Sequence, residues 1–168
     1  FSIQGSGAIT LNGWGGRAGS ANNDTNQSGV EIQDARDNLS KDAEIKATGS
    51  GTITINGIGG SGSFATYNVN AHGIRIYGGQ ANPIVSESGV ITLNGTSGYS
   101  GGLNGNTPAI ETGSPISSTT GNIILKGNAS IEGTLNRSGN IVIGGTVTTG
   151  GDLKIESPGT VTQTAAIT

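Results

Sequence analysis

Between residues 121 and 156 the sequence GNIILKGNASIEGTLNRSGNIVIGGTVTTGGDLKIE has a glycine at every sixth position. These glycines are Gly121, Gly127, Gly133, Gly139, Gly145 and Gly151. Aliphatic residues favour the third and fifth positions of each block, and a spacing of two predicts a strand with one buried face. A glycine at a fixed offset predicts a bend where a side chain would obstruct the corner or where φ is positive. Three blocks would form a triangular coil of about 18 residues, and stacked coils would pair their strands in parallel.

The rest of the chain repeats the same strand with insertions. The copies are GAITLNG at 7–13, GTITING at 51–57 and GVITLNG at 89–95, with GNIILKG at 121–127 and GNIVIGG at 139–145 as weaker later copies. A recurring strand that cannot bury its own apolar face predicts an all-β chain, a parallel β-helix (β-solenoid) with three short strands per coil. The usual crossover hand favours a right-handed coil, although strict hexapeptide repeats also occur in left-handed solenoids.

Two further motifs supply the other strands of each coil. The second strand is predicted at 29–33, 73–77 and 108–112, and the third at 43–47, 83–87 and 114–118. Long loops at 14–28, 58–72 and 96–107 separate the first strand from the second. We therefore expect residues 1–120 to form coils with long loop insertions and residues 121–168 to form regular hexapeptide-type coils of the same solenoid.

A β-sandwich built from hairpins is the rival fold, since Asn-Gly pairs are typical hairpin turns. Three of these pairs, at 12–13, 56–57 and 94–95, recur at the same place in successive repeats, which favours the solenoid. We expect Asn12, Asn56 and Asn94 to stack at one corner as a hydrogen-bonded structural ladder. The aliphatic pairs beside them should stack in two inward columns.

Composition limits the possible functions. The chain has 168 residues, a net charge of −3, 11% charged residues and no cysteine. There is no disulfide framework, no thiolate metal site and no basic stripe for nucleic acid, and no apolar run is long enough for a membrane span. We expect no cofactor and no metal. Because the chain begins at Phe1 rather than Met, it is expected to be a processed product or a segment of a longer protein.

The ionisable residues favour a non-catalytic protein over an enzyme. Sugar-degrading enzymes need clustered carboxylates, whereas the densest acidic stretch here, residues 31–44, mixes charges of both signs. Glu31 and Arg75 occupy equivalent outward positions in adjacent coils, which predicts a cross-strand ion pair. His72, the single histidine, lies among glycine and asparagine in a loop and is expected at the surface.

The aromatic residues are concentrated in the loops. Trp14, Phe64, Tyr67 and Tyr99 are weak candidates for ligand binding, because exposed aromatic rings can form a shallow platform for sugars. Packing within the loops is the alternative interpretation. Trp14, Ile58 and Thr96 begin equivalent loops, so stacked loops would form a ridge along one side.

At GAITLNGWGG, GTITINGIGG and GVITLNGTSG the chain resembles the repeat regions of filamentous-haemagglutinin-like bacterial surface exoproteins, including cyanobacterial ones. The resemblance implies a right-handed parallel β-helix, an extracellular location at the bacterial surface, and roles in adhesion, aggregation or filament formation. Neither end carries a capping helix, so the open strands are expected to pair end to end with further copies or flanking coils, and the loop aromatics make surface glycans the other expected partner. A carbohydrate-binding module and a polysaccharide-degrading β-helix enzyme remain the alternatives.

Overall fold

A computed structural model describes residues 2–18, 27–33, 43–62, 71–78, 83–100, 107–129 and 139–168. Within those ranges the chain contains strands and no helix. In chain order, the strands are β1 (Ser2–Gly5), β2 (Ile9–Trp14), β3 (Arg17–Ala18), β4 (Val30–Gln33), β5 (Glu44–Ala47), β6 (Ile53–Ile58), β7 (Ser61–Gly62), β8 (Ile74–Tyr77), β9 (Ile84–Ser86), β10 (Ile91–Thr96), β11 (Tyr99–Ser100), β12 (Ile110–Thr112), β13 (Ile116–Ser118), β14 (Ile123–Asn128), β15 (Ile141–Ile143), β16 (Val147–Thr149), β17 (Leu153–Glu156) and β18 (Val161–Gln163).

The strands form three five-stranded parallel sheets, one for each face of a solenoid. The first face has the order β2-β6-β10-β14-β17, the second β4-β8-β12-β15-β18 and the third β1-β5-β9-β13-β16. Each neighbouring pair is parallel and joins one coil to the next. The predicted parallel β-solenoid with three strands per coil is therefore confirmed.

Register places like residues on top of one another. On the first face Ile9, Ile53, Ile91, Ile123 and Leu153 form one column, and the residues two further along form a second. The residues between them point outward, so strand β6 alternates buried and half-buried positions. Stacking is what buries the columns, and each aliphatic side chain contributes about 1.5–3 kcal/mol when it leaves water.

The three faces enclose one apolar core. Its fully buried members are mostly isoleucines, supplied by every face and by successive coils. Ile53 and Ile55 from the first face meet Ile74 of the second and Ile45 of the third within it. Isoleucine suits both demands of this core, because β-branching favours the strand and the side chain is wholly apolar.

The repeated glycines allow adjacent faces to approach closely. Gly57 lies inside strand β6 at a buried, inward position, where a Cβ would collide with the carbonyl oxygen of Gly73 on the second face. Gly95 has the same relation to Ala109 one coil later. Among the described residues φ is positive only at Gly49 and Gly78. The first-face glycines are thus required for space, not for an unusual backbone angle.

Two predictions about corners and coil length were wrong. The asparagine column does not lie at a corner of the coil. It lies within the strands on the outward side of the first face, because the chain stays extended through the following glycine to residue 14, 58 or 96. GNIVIGG at 139–145 supplies β15 on the second face, not another first-face strand. The next first-face strand after β14 is β17, so that coil spans 30 residues between Ile123 and its partner Leu153.

Candidate functional site

The long loops leave the solenoid along one edge. The last residues of three successive first-face strands, Trp14, Ile58 and Thr96, are in register. Each loop then begins with a short strand, and these strands form a fourth parallel sheet with the order β11-β7-β3. We call the edge formed by residues 14–18, 58–62 and 96–100 the loop ridge.

Glycines and backbone hydrogen bonds knit the base of the loop ridge together. The Gly60 N–H donates to the carbonyl of Gln27 at 2.8 Å, and the Gly98 N–H donates to that of Ala71 at 2.7 Å. The outgoing limbs of the second and third loops are therefore bonded to the returning limbs of the first and second loops. Within the second loop, a Cβ on Gly59 would collide with the carbonyl oxygen of Ala71. Only glycine therefore allows the outgoing limb of this loop to lie so close to its own returning limb.

Two of the exposed large apolar side chains of the described residues lie on the loop ridge. Trp14 is 70% exposed and Ile58, its neighbour in the next coil, is 44% exposed. Tyr99 lies in β11 on the same ridge, whereas Phe64 and Tyr67 fall outside the described residues. Ile58 is an additional contact candidate, and its signal in the sequence is its alignment with Trp14 in the repeat.

The asparagine column forms hydrogen bonds from coil to coil. The Asn56 side-chain amide donates to Oδ1 of Asn12 at 2.8 Å, and that of Asn94 donates to Oδ1 of Asn56 at 2.7 Å. Lys126 and Glu156 continue the column in the next two coils. The asparagines therefore link three coils on an outward surface that borders the loop ridge.

A polar cluster lies on the second face, formed by Glu31, His72, Arg75, Tyr77 and Glu111; we call it the second-face cluster. Glu31, Arg75 and Glu111 occupy one outward column in successive coils. Arg75 Nε lies 3.2 Å from Glu111 Oε2, and His72 Nε2 lies 2.7 Å from the same oxygen. The register of Glu31 with Arg75 is confirmed, while the ion pair of Arg75 that the structure shows is with Glu111.

Tyr77 contacts both Glu31 of the first coil and Arg75 of the Arg75–Glu111 ion pair. Its hydroxyl donates to Glu31 Oε1 at 2.8 Å, and the Arg75 guanidinium lies 4.1 Å from the centre of its ring. A cation over an aromatic face is attracted by the electrons of the ring. Each charged member of the cluster thus contacts another member, and together they span three coils.

The environment of Glu111 stabilises its ionised form. The hydrogen bond from His72 is the largest influence that lowers the pKa of this carboxyl below its usual value of 4.5, and the charges of His72 and Arg75 act in the same direction. Partial burial opposes them without reversing the shift. A lowered pKa in the folded state means that the contact stabilises the fold above the usual value and is lost as pH falls through the folded value.

The surface position predicted for His72 was wrong. The residue is 4% exposed, because the returning limb of the second loop folds inward immediately before β8. Sequence could not reveal its partner, because Glu111 lies far along the chain and only the coil register brings the two together. Within the described ranges, no three potential metal ligands lie close enough together to hold an ion.

A scan against protein-family models, a search of curated proteins and a search of solved structures return no match to this chain. None of the described segments forms a helix that is long and apolar enough to cross a membrane. The fold and the surface chemistry therefore provide the basis for a functional proposal.

Proposed function

We propose that the chain is a non-catalytic structural and adhesive segment of a bacterial cell-surface filament or adhesin, working outside the cell. The observation that supports this most strongly is the loop ridge, where loops from successive coils emerge side by side while the regular faces carry the stacking. A stacked solenoid resists bending because each coil is hydrogen-bonded along its length to the next. The coils then provide length and stiffness, and the loop ridge provides contacts.

The exposed apolar side chains indicate where contact would occur. Soluble proteins tolerate scattered apolar residues, but Trp14 and Ile58 are adjacent on one edge and both are well exposed. Tryptophan supplies a large and rigid contact area at small entropic cost. A partner that lies along the ridge would meet these side chains before it met the flat faces.

Carbohydrate binding is the second candidate, and Trp14 is the observation that favours it. An exposed indole can stack on the apolar face of a sugar ring, as aromatic platforms do. The second-face cluster gives weaker support to a polysaccharide-degrading enzyme. Its carboxylates already contact Arg75, His72 or Tyr77, an arrangement typical of cross-strand stabilisation.

Binding of the intact chain to a glycan array and to immobilised bacterial surface polymers tests these candidates. Ile58→Ala removes an apolar side chain from the ridge, and Ile124→Ala removes the same atoms from the outward side of the first face, away from the ridge. We expect Trp14→Ala and Ile58→Ala to weaken binding several-fold and Ile124→Ala to leave it unchanged.

Selective binding to sugars that depends on Trp14 would favour the carbohydrate module over general adhesion. Equal losses in Ile58→Ala and Ile124→Ala, or binding insensitive to all three changes, would contradict a ridge-based contact. Release of oligosaccharides from uronic-acid polymers by the purified chain would contradict the non-catalytic assignment.

A further inference from the structure

His72 holds the returning limb of the second loop at the point where it rejoins the solenoid. It lies two residues before β8 and is buried, and its Nε2 contacts Glu111 of the next coil. Its other ring nitrogen, Nδ1, is buried without a hydrogen-bond partner among the described residues. Burying an imidazole is unfavourable unless its polar atoms are bonded, so the contact with Glu111 is what stabilises this position.

The backbone around His72 connects three coils. Its carbonyl accepts a hydrogen bond from the Gly29 N–H of the preceding coil at 2.9 Å. The carbonyl of Ala71 accepts one from the Gly98 N–H of the following coil at 2.7 Å. Displacement of the imidazole would therefore loosen both of these bonds together.

We propose that His72 and Glu111 form an acid-released clasp that fixes the returning limb of the second loop to the third coil. Among the described residues, the other charged group in contact with Glu111 is Arg75, on the strand that His72 precedes. On the opposite side, strand β15 presents the apolar Val142 to the same column. Glu31, the remaining carboxylate of the cluster, lies beyond Arg75 and accepts from the Tyr77 hydroxyl.

Acid acts on this clasp through the carboxylate of Glu111. When Glu111 is neutralised, the His72 imidazole and the guanidinium of Arg75 lose the anion that contacts both of them. Because the pKa of Glu111 is lowered below its usual value, the clasp opens only as pH falls through that lowered pKa.

Amide hydrogen exchange of the intact chain, followed by NMR, tests the clasp. We expect protection factors of the Gly29 and Gly98 amides to fall on the order of tenfold between pH 6 and pH 3, as the loss of one charge-assisted hydrogen bond would produce. The amide of Ile123, bonded to Asp152 O at 2.9 Å in the neighbouring coils, serves as the internal reference and should keep its protection.

Three variants assign the effect. His72→Gln should abolish most of the fall, because it removes the imidazole through which Glu111 holds the returning limb. Glu111→Gln should remove the pH dependence, because the amide carries no charge that acid can neutralise. Glu156→Gln is the matched control: this exposed carboxylate also has a lowered pKa, caused mainly by Lys154, and its loss should leave both amides unaffected.

Constant protection of the Gly29 and Gly98 amides from pH 6 to pH 3, relative to Ile123, would overturn the clasp, and this result needs only the unmodified chain. An undiminished fall in His72→Gln would overturn it equally. The measurement does not depend on any ligand, so it stands apart from the binding experiments on the loop ridge.

Discussion

At the scale of single residues, one inward column of the core contains a threonine among isoleucines. Ile32, Ile76, Thr112 and Ile143 occupy successive positions of one inward column on the second face. The Thr112 hydroxyl is fully buried and finds no hydrogen-bond partner among the residues that the structure describes. A buried hydroxyl without a partner is unfavourable, because it has lost the water that it bonds in the unfolded chain.

Thr112→Val is therefore expected to stabilise the fold by about 1 kcal/mol, since valine has nearly the same shape and no polar atom. Thr149→Val is the matched control: its hydroxyl donates to Gly121 O at 2.7 Å and accepts from the Gly151 N–H. That change should destabilise the chain by about 1 kcal/mol. Urea unfolding measures both, and a destabilised Thr112→Val would contradict the unbonded hydroxyl.

At the scale of elements, the strands were predictable where the inward aliphatic pair and its flanking glycine recur. The first-face strands at Ile9, Ile53, Ile91 and Ile123 pair as predicted. Strand β15 was misassigned because six-residue spacing is common to all three faces and cannot by itself identify a face. The distinguishing signal is local: IVIGGTVT at 141–148 follows the order of IETGSPIS at 110–117, a second strand, a glycine bend and a third strand.

The asparagine ladder predicts an asymmetry between equivalent positions. Asn56→Asp replaces the amide that donates to Asn12 Oδ1 with a carboxylate oxygen that repels this Oδ1. The change should lower the free energy of unfolding by about 1 kcal/mol. Asn94→Asp loses the same kind of bond but places a carboxylate opposite Lys126, which should recover part of that cost. Urea unfolding at low and high salt measures the difference, which should shrink as salt screens the new pair. Equal costs at low salt would contradict the role of Lys126.

At the scale of the whole molecule, successive coils become shorter along the chain while the three faces stay constant. Register partners on the first face are separated by 44, 38, 32 and 30 residues in turn, as Ile9, Ile53, Ile91, Ile123 and Leu153 show. Most of the shortening lies in the connections between the second and third strands, at 34–43, 78–83 and 113–115, whereas the loops between the first and second strands, at 15–29, 59–73 and 97–109, keep nearly the same length. The core does not change with the length of either connection. This is why the sequence repeat predicted the solenoid without predicting what the loops bind.

The candidate sites were less predictable than the fold for the same reason. Trp14 and Ile58 could be aligned from the repeat, because both follow the same motif. The second-face cluster combines residues from a loop and three strands, and its pairs depend on which coil faces which. His72 and Glu111 have no shared motif, so only the three-dimensional register brings them together.

Disulfide formation between paired cysteines tests most directly the claim that the coils stack in parallel and in register. The chain has no cysteine of its own, so each introduced pair is unambiguous. Thr54 and Thr92 are register partners on adjacent strands, and both point outward. Ile124 is the partner of Thr92 on the next strand, so Thr54 and Ile124 are two coils apart. Partners on adjacent strands are about 4.8 Å apart, within reach of a disulfide, and residues two coils apart are not.

We expect Thr54→Cys with Thr92→Cys to form an intramolecular disulfide under mild oxidation, as shown by peptide mapping without reduction, and Thr54→Cys with Ile124→Cys to remain as free thiols. Equal oxidation of both pairs, or faster oxidation of the second, would contradict the stacking of the first-face strands.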